Sequence, residues 1–241
     1  ISFNIENEKI SFKTNEQRCV YPSSIHSVPD LTIAFLGGST TECRHVKEEL
    51  RFPALACRLY EKKINKKINS KNYGMAGNHS MHNINILNNI ILKDPPDYLV
   101  IHSNINDLLT LIHFGEYWNE SKSRSLVGSL NEISGYRVNF NSKVLPYTAL
   151  VLFPTINFGV KHENNEWNES KINIGFDLKK ATKIYENSIQ SLVLTCISWG
   201  IKPILCTQGI NNYSNNKNFT KEFYQSKGID VYAIHHDFNQ I

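Results

Sequence analysis

Buried strands of a parallel sheet are the first elements that the pattern of apolar positions predicts. Residues 31–36 read Leu-Thr-Ile-Ala-Phe-Leu, a nearly continuous apolar run typical of a strand that is covered on both faces. Residues 98–101, 203–206 and 229–234 form similar runs, and short strand-like residues lead into Asn72. Together these segments predict a sheet of five strands.

Helical periodicity separates these strands. Pro53 suits the first turn of a helix because its φ angle is fixed, and the apolar positions that follow it keep helical spacing. Two further stretches have the same period, and the longer one has Gly200 where a C-terminal cap belongs. The apolar positions of the three predicted helices are Leu55, Leu59 and Ile64; Met81, Ile84, Leu87 and Ile91; and Leu178, Ala181, Ile184, Tyr185, Ile189, Leu192, Val193 and Cys196. Strands that alternate with helices indicate a parallel sheet with helices on both faces.

Two regions depart from this alternation. The first residues alternate apolar and polar side chains, which predicts a hairpin within an N-terminal extension of residues 1–30. Residues 110–175 carry Trp118 and Trp167 with weak periodicity, which predicts an insertion after the third strand. Its aromatic side chains either line a substrate cleft or pack a small core of the insertion itself. One α/β domain over residues 31–241 then contains the insertion.

The charge pattern argues against a nucleic-acid partner. The chain has 241 residues, a net charge of +4 and a pI near 8.7, and its basic residues do not alternate with aromatic residues in a long stripe. The densest basic run is predicted to lie on the solvated side of one helix and comprises Lys62, Lys63, Lys66, Lys67 and Lys71.

The sequence leaves the cellular compartment of the protein undecided. No apolar run is long enough for a membrane helix, and no signal peptide is visible. Because the chain begins at Ile1 rather than Met, we expect a soluble domain that is periplasmic or otherwise extracytoplasmic if a signal or anchor precedes it, and cytoplasmic if none does.

The cysteines are predicted to be buried free thiols, without excluding one bridge in an oxidising compartment. No two of them form a close pair such as Cys-x-x-Cys; they are Cys19, Cys43, Cys57, Cys196 and Cys206. No cluster of His, Cys and Asp has the spacing of metal ligands, so the sequence predicts neither a metal nor a cofactor.

Glycine-rich or polar turns follow three of the predicted strands, where ligands bind in open α/β sheets. The first is Gly37-Gly38-Ser39, in which two glycines allow a tight turn that lifts the serine hydroxyl at the start of a helix. Taken alone, this turn fits a catalytic nucleophile, a phosphate cradle or a simple tight turn.

The other two turns supply backbone and amide groups. Residues 72–78 include Gly74 and Gly77, which either allow a ligand to approach the backbone closely or belong to a plain loop. Residues 102–107 offer the side-chain amide of Asn106, although an Asn-Asp pair also serves as a helix cap.

Together these turns resemble the SGNH (GDSL-like) hydrolases over residues 31–235. Gly37-Gly38-Ser39 is similar to the family's first motif, Gly-Asp-Ser, Gly77 to the glycine of its second, and residues 104–107 to its third, Gly-x-Asn-Asp. The resemblance implies a three-layer α/β/α sandwich, a flavodoxin-like fold with a central, mostly parallel five-stranded sheet. It also implies that Ser39 is the nucleophile and that an oxyanion hole is formed by the backbone N–H groups of Ser39 and Gly77 and the side-chain amide of Asn106.

Two positions depart from the usual motifs without removing a catalytic atom. Gly38 stands where the family usually has aspartate, and Asn104 where it usually has glycine, as in GGST-type members of the superfamily. The fourth motif, Asp-x-x-His, does not occur in the sequence, so the general base and its carboxylate are not identified. We expect the chain to end before that motif.

The histidines that the sequence does contain are weak candidates for the base. His235, His236 and Asp237 follow the last predicted strand directly and lack the spacing of the fourth motif. His79 and His82, near the second motif, are weaker still, because most histidines are surface or core residues.

The resemblance predicts a serine esterase that acts on small acyl esters, with carbohydrate O-acetyl groups as the preferred class. The expected partner is therefore a small-molecule or glycan acyl ester, and no cofactor is expected. The alternatives are an O-acyltransferase, a non-catalytic glycan- or ligand-binding SGNH-like domain, and a phosphate-binding module that lacks the P-loop lysine. The oligomeric state is left open.

Overall fold

Four parallel strands form the central sheet. The computed structural model describes residues 2–5, 8–23, 26–119, 124–126, 176–209 and 228–241. The strands of the sheet are β3 (Leu31–Gly37), β4 (Ile68–Asn72), β5 (Tyr98–His102) and β6 (Lys202–Leu205). They pair in the order β4-β3-β5-β6, so the chain passes from β3 to one side and then crosses to the other.

Six α-helices accompany the strands in the described residues. They are α1 (Ser39–Glu42), α2 (Phe52–Ile64), α3 (Ser80–Asn89), α4 (Ile105–Phe114), α5 (Leu178–Ser198) and α6 (Val231–Phe238). Short 3₁₀ turns cover Glu48–Leu50 and Ile91–Lys93. Helices α2, α3 and α5 confirm the three predicted helices, and Gly200 has the positive φ of 73° that a helix C-terminus favours.

The sheet is covered on both faces, as predicted. Successive side chains of a strand point to opposite faces. Ala34 and Leu36 of β3 pack in the larger core cluster, which contains residues of α3, α4, α5 and α6. Ile33 and Phe35 pack in a second cluster with Cys57 of α2. The chain is therefore an α/β fold whose four-stranded parallel sheet is flanked by helices.

The predicted strand at residues 229–234 is wrong, because this segment leads into α6. Asp230 caps the helix: its Oδ1 accepts a 3.1 Å hydrogen bond from the backbone N–H of Ala233. The buried side chains lie at helical spacing, namely Val231, Ile234, His235 and Phe238. The sheet thus has four strands in the part of the chain that the structure describes, and His235, His236 and Asp237 lie on a helix.

The N-terminal extension contains the predicted hairpin and covers one edge of the sheet. Strands β1 (Ser2–Ile5) and β2 (Glu8–Ser11) pair in antiparallel fashion. Further along, the backbone N–H of Val20 donates to the carbonyl oxygen of Asn72, and His26 exchanges hydrogen bonds with the side chain of Asn69. Pairing of this kind protects the outer edge of β4 from other chains.

The start of the predicted insertion belongs to α4, which continues to Phe114. Trp118 is exposed, whereas Trp167 lies outside the described residues, as does the insertion beyond residues 124–126. The two alternatives for its aromatic side chains therefore stay predictions.

Two details of the sequence interpretation are corrected. Leu59 is exposed, and α2 instead buries Pro53, Ala54 and Cys57. The five lysines do not share one helix face. Lys62 and Lys63 lie on α2, whereas Lys66 and Lys67 follow its end. Lys71 lies in β4, where it is buried and its Nζ contacts Asp94 at 2.5 Å. Among the helices that the structure describes, none has the length and apolar character needed to cross a membrane.

Candidate functional site

The three predicted turns meet at the carboxyl ends of neighbouring strands. Ser39 follows β3, Gly77 follows β4 and Asn106 follows β5. Because β3 has β4 on one side and β5 on the other, it marks the point where the strand order reverses. Open α/β sheets bind ligands at such a point, beyond the carboxyl ends of the strands.

Ser39 is exposed at the first position of α1. The single turn of this helix is closed by the backbone N–H groups of Thr41 and Glu42, which both donate to the carbonyl oxygen of Gly38. It ends at Cys43, whose backbone has the left-handed φ of 52°. The hydroxyl of Ser39 therefore belongs to a residue that faces solvent rather than the packed core.

The second turn is tied to the first by backbone and side-chain hydrogen bonds. The backbone N–H of Met75 donates to the carbonyl oxygen of Gly37 at 3.1 Å, and Nδ2 of Asn72 donates to that of Thr41 at 2.8 Å. Gly77 is half-buried and has a φ of 85°, a region that side-chain-bearing residues rarely adopt. A glycine at this position allows the turn that directs residues 77–78 towards the third motif.

Asn106 connects the third turn to the other two. Its Nδ2 donates a 2.7 Å hydrogen bond to the carbonyl oxygen of Asn78, the residue after Gly77. The same nitrogen packs so closely on Gly38 that a β-carbon on Gly38 would collide with it. The residue before Ser39, the residue after Gly77 and the amide of Asn106 therefore converge, and the close packing explains why glycine stands at position 38.

Asn104, two residues before Asn106, makes contacts with α6 rather than with the other two turns. Its Nδ2 donates to Oδ1 of Asn239 at 2.6 Å and to the carbonyl oxygen of His235 at 3.3 Å. Asn104 is buried and links the start of α4 to the end of α6. Glycine at position 104 would lack this link.

Gln208 is a residue near the site that the sequence interpretation missed. It is buried, its Nε2 donates to Oγ1 of Thr40 at 2.9 Å, and its Oε1 accepts from the backbone N–H of Ile105 at 3.1 Å. It thus joins the residue after Ser39 to the residue before Asn106. No local pattern signals this role, because the partners are more than 100 residues apart along the chain.

The buried side of the third motif contains a carboxylate. Asp107 is completely buried, and its Oδ1 accepts hydrogen bonds from the backbone N–H of Ser80 at 2.8 Å and from the hydroxyl of Tyr117 at 2.7 Å. Burial raises the pKa of Asp107 despite these hydrogen bonds. Asp107 is therefore a packed structural neighbour of Asn106 and has no exposure to substrate.

The two histidines near the second motif are bound to backbone carbonyls. Nε2 of His79 contacts the carbonyl oxygen of Arg124 at 3.0 Å, and Nε2 of His82 contacts that of Ser125 at 2.9 Å. A carbonyl oxygen only accepts, so both Nε2 atoms carry a proton. Burial, and secondarily the nearby His82, lower the pKa of His79 to about 3. Both side chains are engaged in holding residues 124–125.

The remaining candidate histidine, His235, is buried in α6. Burial lowers its pKa, and its Nδ1 lies 3.4 Å from Nδ2 of Asn239. His236 and Asp237 are exposed on the other side of α6. Nδ1 of His236 lies 3.6 Å from Oδ1 of Asp237, and the buried His235 is not part of this pair.

A surface pocket of about 270 Å³ adjoins Ser39. Ala76 of the second turn contributes to its wall, as do Glu42, Arg44 and His45. Oε1 of Glu42 accepts a 2.7 Å hydrogen bond from Nη2 of Arg44, so an ion pair stands beside the serine. The sequence interpretation did not single out these residues.

The arrangement can bind and polarise a carbonyl group. It combines an exposed serine, a turn in which Gly77 has a positive φ, and an amide with two N–H groups of which one is used by Asn78. In the described ranges, no three side chains of His, Cys, Asp or Glu are grouped as a metal site would require. The five cysteines are free thiols, three of them buried, with Cys43 half-buried and Cys206 exposed.

Comparisons with known proteins give structural likeness only. No family model matches the sequence, and no curated protein does. Among solved structures, the fold is similar to the acetylxylan esterase Axe2 from Geobacillus stearothermophilus, with 15% identity, a TM-score of 0.42 and coverage of 87% of this chain and 74% of that one. It is also similar to the psychrotrophic esterase EstA from Pseudoalteromonas sp., with 14% identity, a TM-score of 0.40 and the same coverage.

A shorter stretch is similar to a two-domain esterase, CEX, active on acetylated mannans. The identity is 28%, but the match covers 32% of this chain and 21% of that one, with a TM-score of 0.30. Values in this range are too low to carry an assignment of family or activity, which must come from the chemistry of the site.

Proposed function

We propose that this protein is a serine esterase of the SGNH type, with Ser39 as its nucleophile and small acyl esters as its substrates. The observation that carries the proposal is the position of the Asn106 amide, which packs on Gly38 and donates to the carbonyl oxygen of Asn78. Three separate loops thereby contribute an amide donor, a glycine turn and the residue next to an exposed serine, and these groups lie close together.

The chemistry follows from these groups. The Ser39 hydroxyl attacks the ester carbonyl and transfers its proton to a histidine, the carbonyl oxygen gains the negative charge, and collapse of the intermediate releases the alcohol with that proton. Water then cleaves the acyl-enzyme. The backbone N–H groups of Ser39 and Gly77 and the Asn106 amide are the donors for the charged oxygen. The histidine expected from an Asp-x-x-His motif is not assigned to any residue of this sequence.

The size of the pocket supports a small acyl group. Ligand sites commonly enclose roughly 300 to 1,000 Å³, whereas the pocket beside Ser39 holds about 270 Å³. The lining of the pocket is largely apolar, which suits the acyl group, while the Glu42–Arg44 ion pair and His45 on its wall offer polar groups to a hydroxyl-bearing alcohol. Carbohydrate O-acetyl groups combine a small acyl group with such an alcohol.

The test is hydrolysis by the full-length protein of p-nitrophenyl esters of increasing acyl length and release of acetate from acetylated oligosaccharides. We expect turnover to be fastest with acetyl esters, to fall with acyl length, and to be lost in Ser39→Ala. Turnover that Ser39→Ala retains would reject the proposal. Transfer of the acetyl group to added sugar in preference to water would identify an O-acyltransferase.

The alternative of a non-catalytic binding domain predicts a different result from the same measurement. Such a domain would bind an acetylated oligosaccharide in calorimetry with equal affinity in wild type and Ser39→Ala, and neither would release acetate. The phosphate-binding alternative predicts that the protein binds inorganic phosphate and that esters do not compete with this binding.

A further inference from the structure

Arg124 holds the backbone of the second turn. It is 6% exposed, and its Nη1 donates a 2.7 Å hydrogen bond to the carbonyl oxygen of Gly77. The next carbonyl along the chain, that of Asn78, accepts from Nδ2 of Asn106. Two consecutive carbonyl groups of the turn are thus fixed by side chains from elsewhere in the chain. This matters at Gly77 in particular, since glycine has no side chain to limit rotation of its backbone.

Hydrogen bonds from the histidines after Gly77 to the backbone around Arg124 support the contact between Arg124 and Gly77. His79 donates from Nε2 to the carbonyl oxygen of Arg124, and His82 donates to that of Ser125. The two imidazole rings lie 3.8 Å apart, centroid to centroid. Residues 77–82 and residues 124–125 therefore hold each other through three hydrogen bonds, which orients the guanidinium of Arg124 towards Gly77.

The buried carboxylate of Asp107 also interacts with this group of residues. Its Oδ1 accepts a hydrogen bond from the hydroxyl of Tyr117. Burial lowers the pKa of Arg124, and the charge of Asp107 opposes that shift. The ring of Tyr117 in turn stacks on His79 with centroids 4.6 Å apart. Because Asp107 directly follows Asn106, the residue that fixes the Arg124 region is covalently joined to the amide donor.

We propose that Arg124 is a positioning residue of the oxyanion hole: its hydrogen bond to the Gly77 carbonyl fixes the 77–78 peptide plane and so limits the backbone rotation at Gly77 on which the direction of the Gly77 N–H depends. The inference rests on the proposed esterase function. Arg124 acts through Gly77 and touches no substrate. The ground-state ester has no negative charge on its carbonyl oxygen, and the charge develops on the way to the tetrahedral intermediate, so losing the alignment lowers kcat and leaves KM unchanged.

The variants Arg124→Met and Arg124→Lys of the full-length protein test this inference. Methionine keeps the apolar length of the side chain and removes both the charge and the donor. Lysine keeps the charge and one donor but lacks the planar geometry of guanidinium. Lys183→Met is the matched control, because Lys183 forms a surface ion pair with Glu186 on α5.

We expect kcat for p-nitrophenyl acetate to fall about 100-fold in Arg124→Met, as for loss of one oxyanion donor, and about 10-fold in Arg124→Lys, at unchanged KM. The control should match wild type. Thermal melting checks that each variant is folded at the assay temperature. If Arg124→Met is not folded, the Arg124→Lys result decides.

Two outcomes overturn the inference while leaving the esterase function intact: wild-type kcat in a folded Arg124 variant, or a loss of kcat/KM that resides in KM. A wild-type protein with no turnover and no reaction with a fluorophosphonate instead overturns the proposed function and this inference with it.

Discussion

Nδ2 of Asn106 donates to the carbonyl oxygen of Asn78 at 2.7 Å while it packs against the α-carbon of Gly38. One amide nitrogen therefore connects the loops after β3, β4 and β5. A side-chain amide has two N–H groups, and the hydrogen bond to Asn78 fixes one of them. This bond orients the amide group, and under the proposed function the second N–H is the donor to a ligand beside Ser39.

Replacing Gly38 by alanine is expected to displace that amide. The new β-carbon would collide with Nδ2 of Asn106, so the amide must move away from the site. We predict that kcat for p-nitrophenyl acetate falls about 100- to 1,000-fold, the usual effect of losing one oxyanion donor. Gly209→Ala is the control, since no atom of the residues that the structure describes lies within 4 Å of its added β-carbon. Equal activity of the two variants would show that the amide plays no part.

Removing the Asn106 amide should lower kcat as Gly38→Ala does, but without a steric collision. Asn106→Ala is predicted to lower kcat about 100- to 1,000-fold with KM unchanged, because the amide acts on charge that develops in the transition state. The control is Asn88→Ala, at an exposed position of α3. A rise in KM at constant kcat would instead indicate that Asn106 binds the ground state of the substrate.

Replacing Asn104 should lower the stability of the protein rather than its kcat. Asn104→Ala removes the donor to Oδ1 of the half-buried Asn239 and to the buried carbonyl oxygen of His235. We expect the free energy of unfolding in urea to fall by about 1–3 kcal/mol, while kcat of the folded enzyme stays within a few-fold of wild type. A large loss of kcat without a loss of stability would place Asn104, rather than Asn106, in the catalytic machinery.

Acid is expected to destabilise the protein through His79. Burial lowers the pKa of this side chain to about 3 in the folded state, against about 6.5 for an unperturbed histidine. The unfolded chain therefore binds a proton that the folded chain excludes. The stability is complete above pH 6.5 and falls as the pH drops towards 3, by at most about 1.4 kcal/mol per pH unit from this group.

The variant His79→Phe tests this linkage, because phenylalanine can stack on Tyr117 but does not titrate. Urea unfolding at pH 7, 6, 5 and 4 should show a shallower loss of stability than in wild type. The exposed His236, changed to Gln and measured in the same way, serves as the control for the loss of a surface histidine. Parallel curves for wild type and His79→Phe would assign the acid sensitivity to other groups.

The strands and turns that sequence could predict are those with local signals. The apolar run at residues 31–36 and the period of α5 identify their elements without help from distant residues. Because parallel strands bring their carboxyl ends to one edge, the turns containing Ser39, Gly77 and Asn106 were expected to be neighbours. The structure places all three turns at that edge.

The misassigned strand shows the limit of local pattern. Residues 229–234 are too few and too apolar for period alone to separate a strand from a helix. What decides is the cap by Asp230 and the burial of Phe238 against Tyr185, whose rings stack at 4.4 Å. The second of these contacts joins residues 53 positions apart, so it leaves no mark in the local sequence.

The supporting residues of the site were missed for the same reason. Gln208 contacts Thr40, and Arg124 contacts Gly77, across long separations in the chain. Neither residue belongs to a motif, and a glutamine or arginine in a polar stretch has no local feature that distinguishes it. Their roles follow only from the three-dimensional contacts.

The most direct test of the account is the reaction of the full-length protein with a fluorophosphonate, which forms a covalent bond to an activated serine. The account predicts that mass spectrometry finds the phosphonyl group on Ser39 alone, that Ser39→Ala is not modified, and that Asn106→Ala reacts about 100-fold more slowly. Folded protein that does not react, or that reacts at a different serine, would contradict the account.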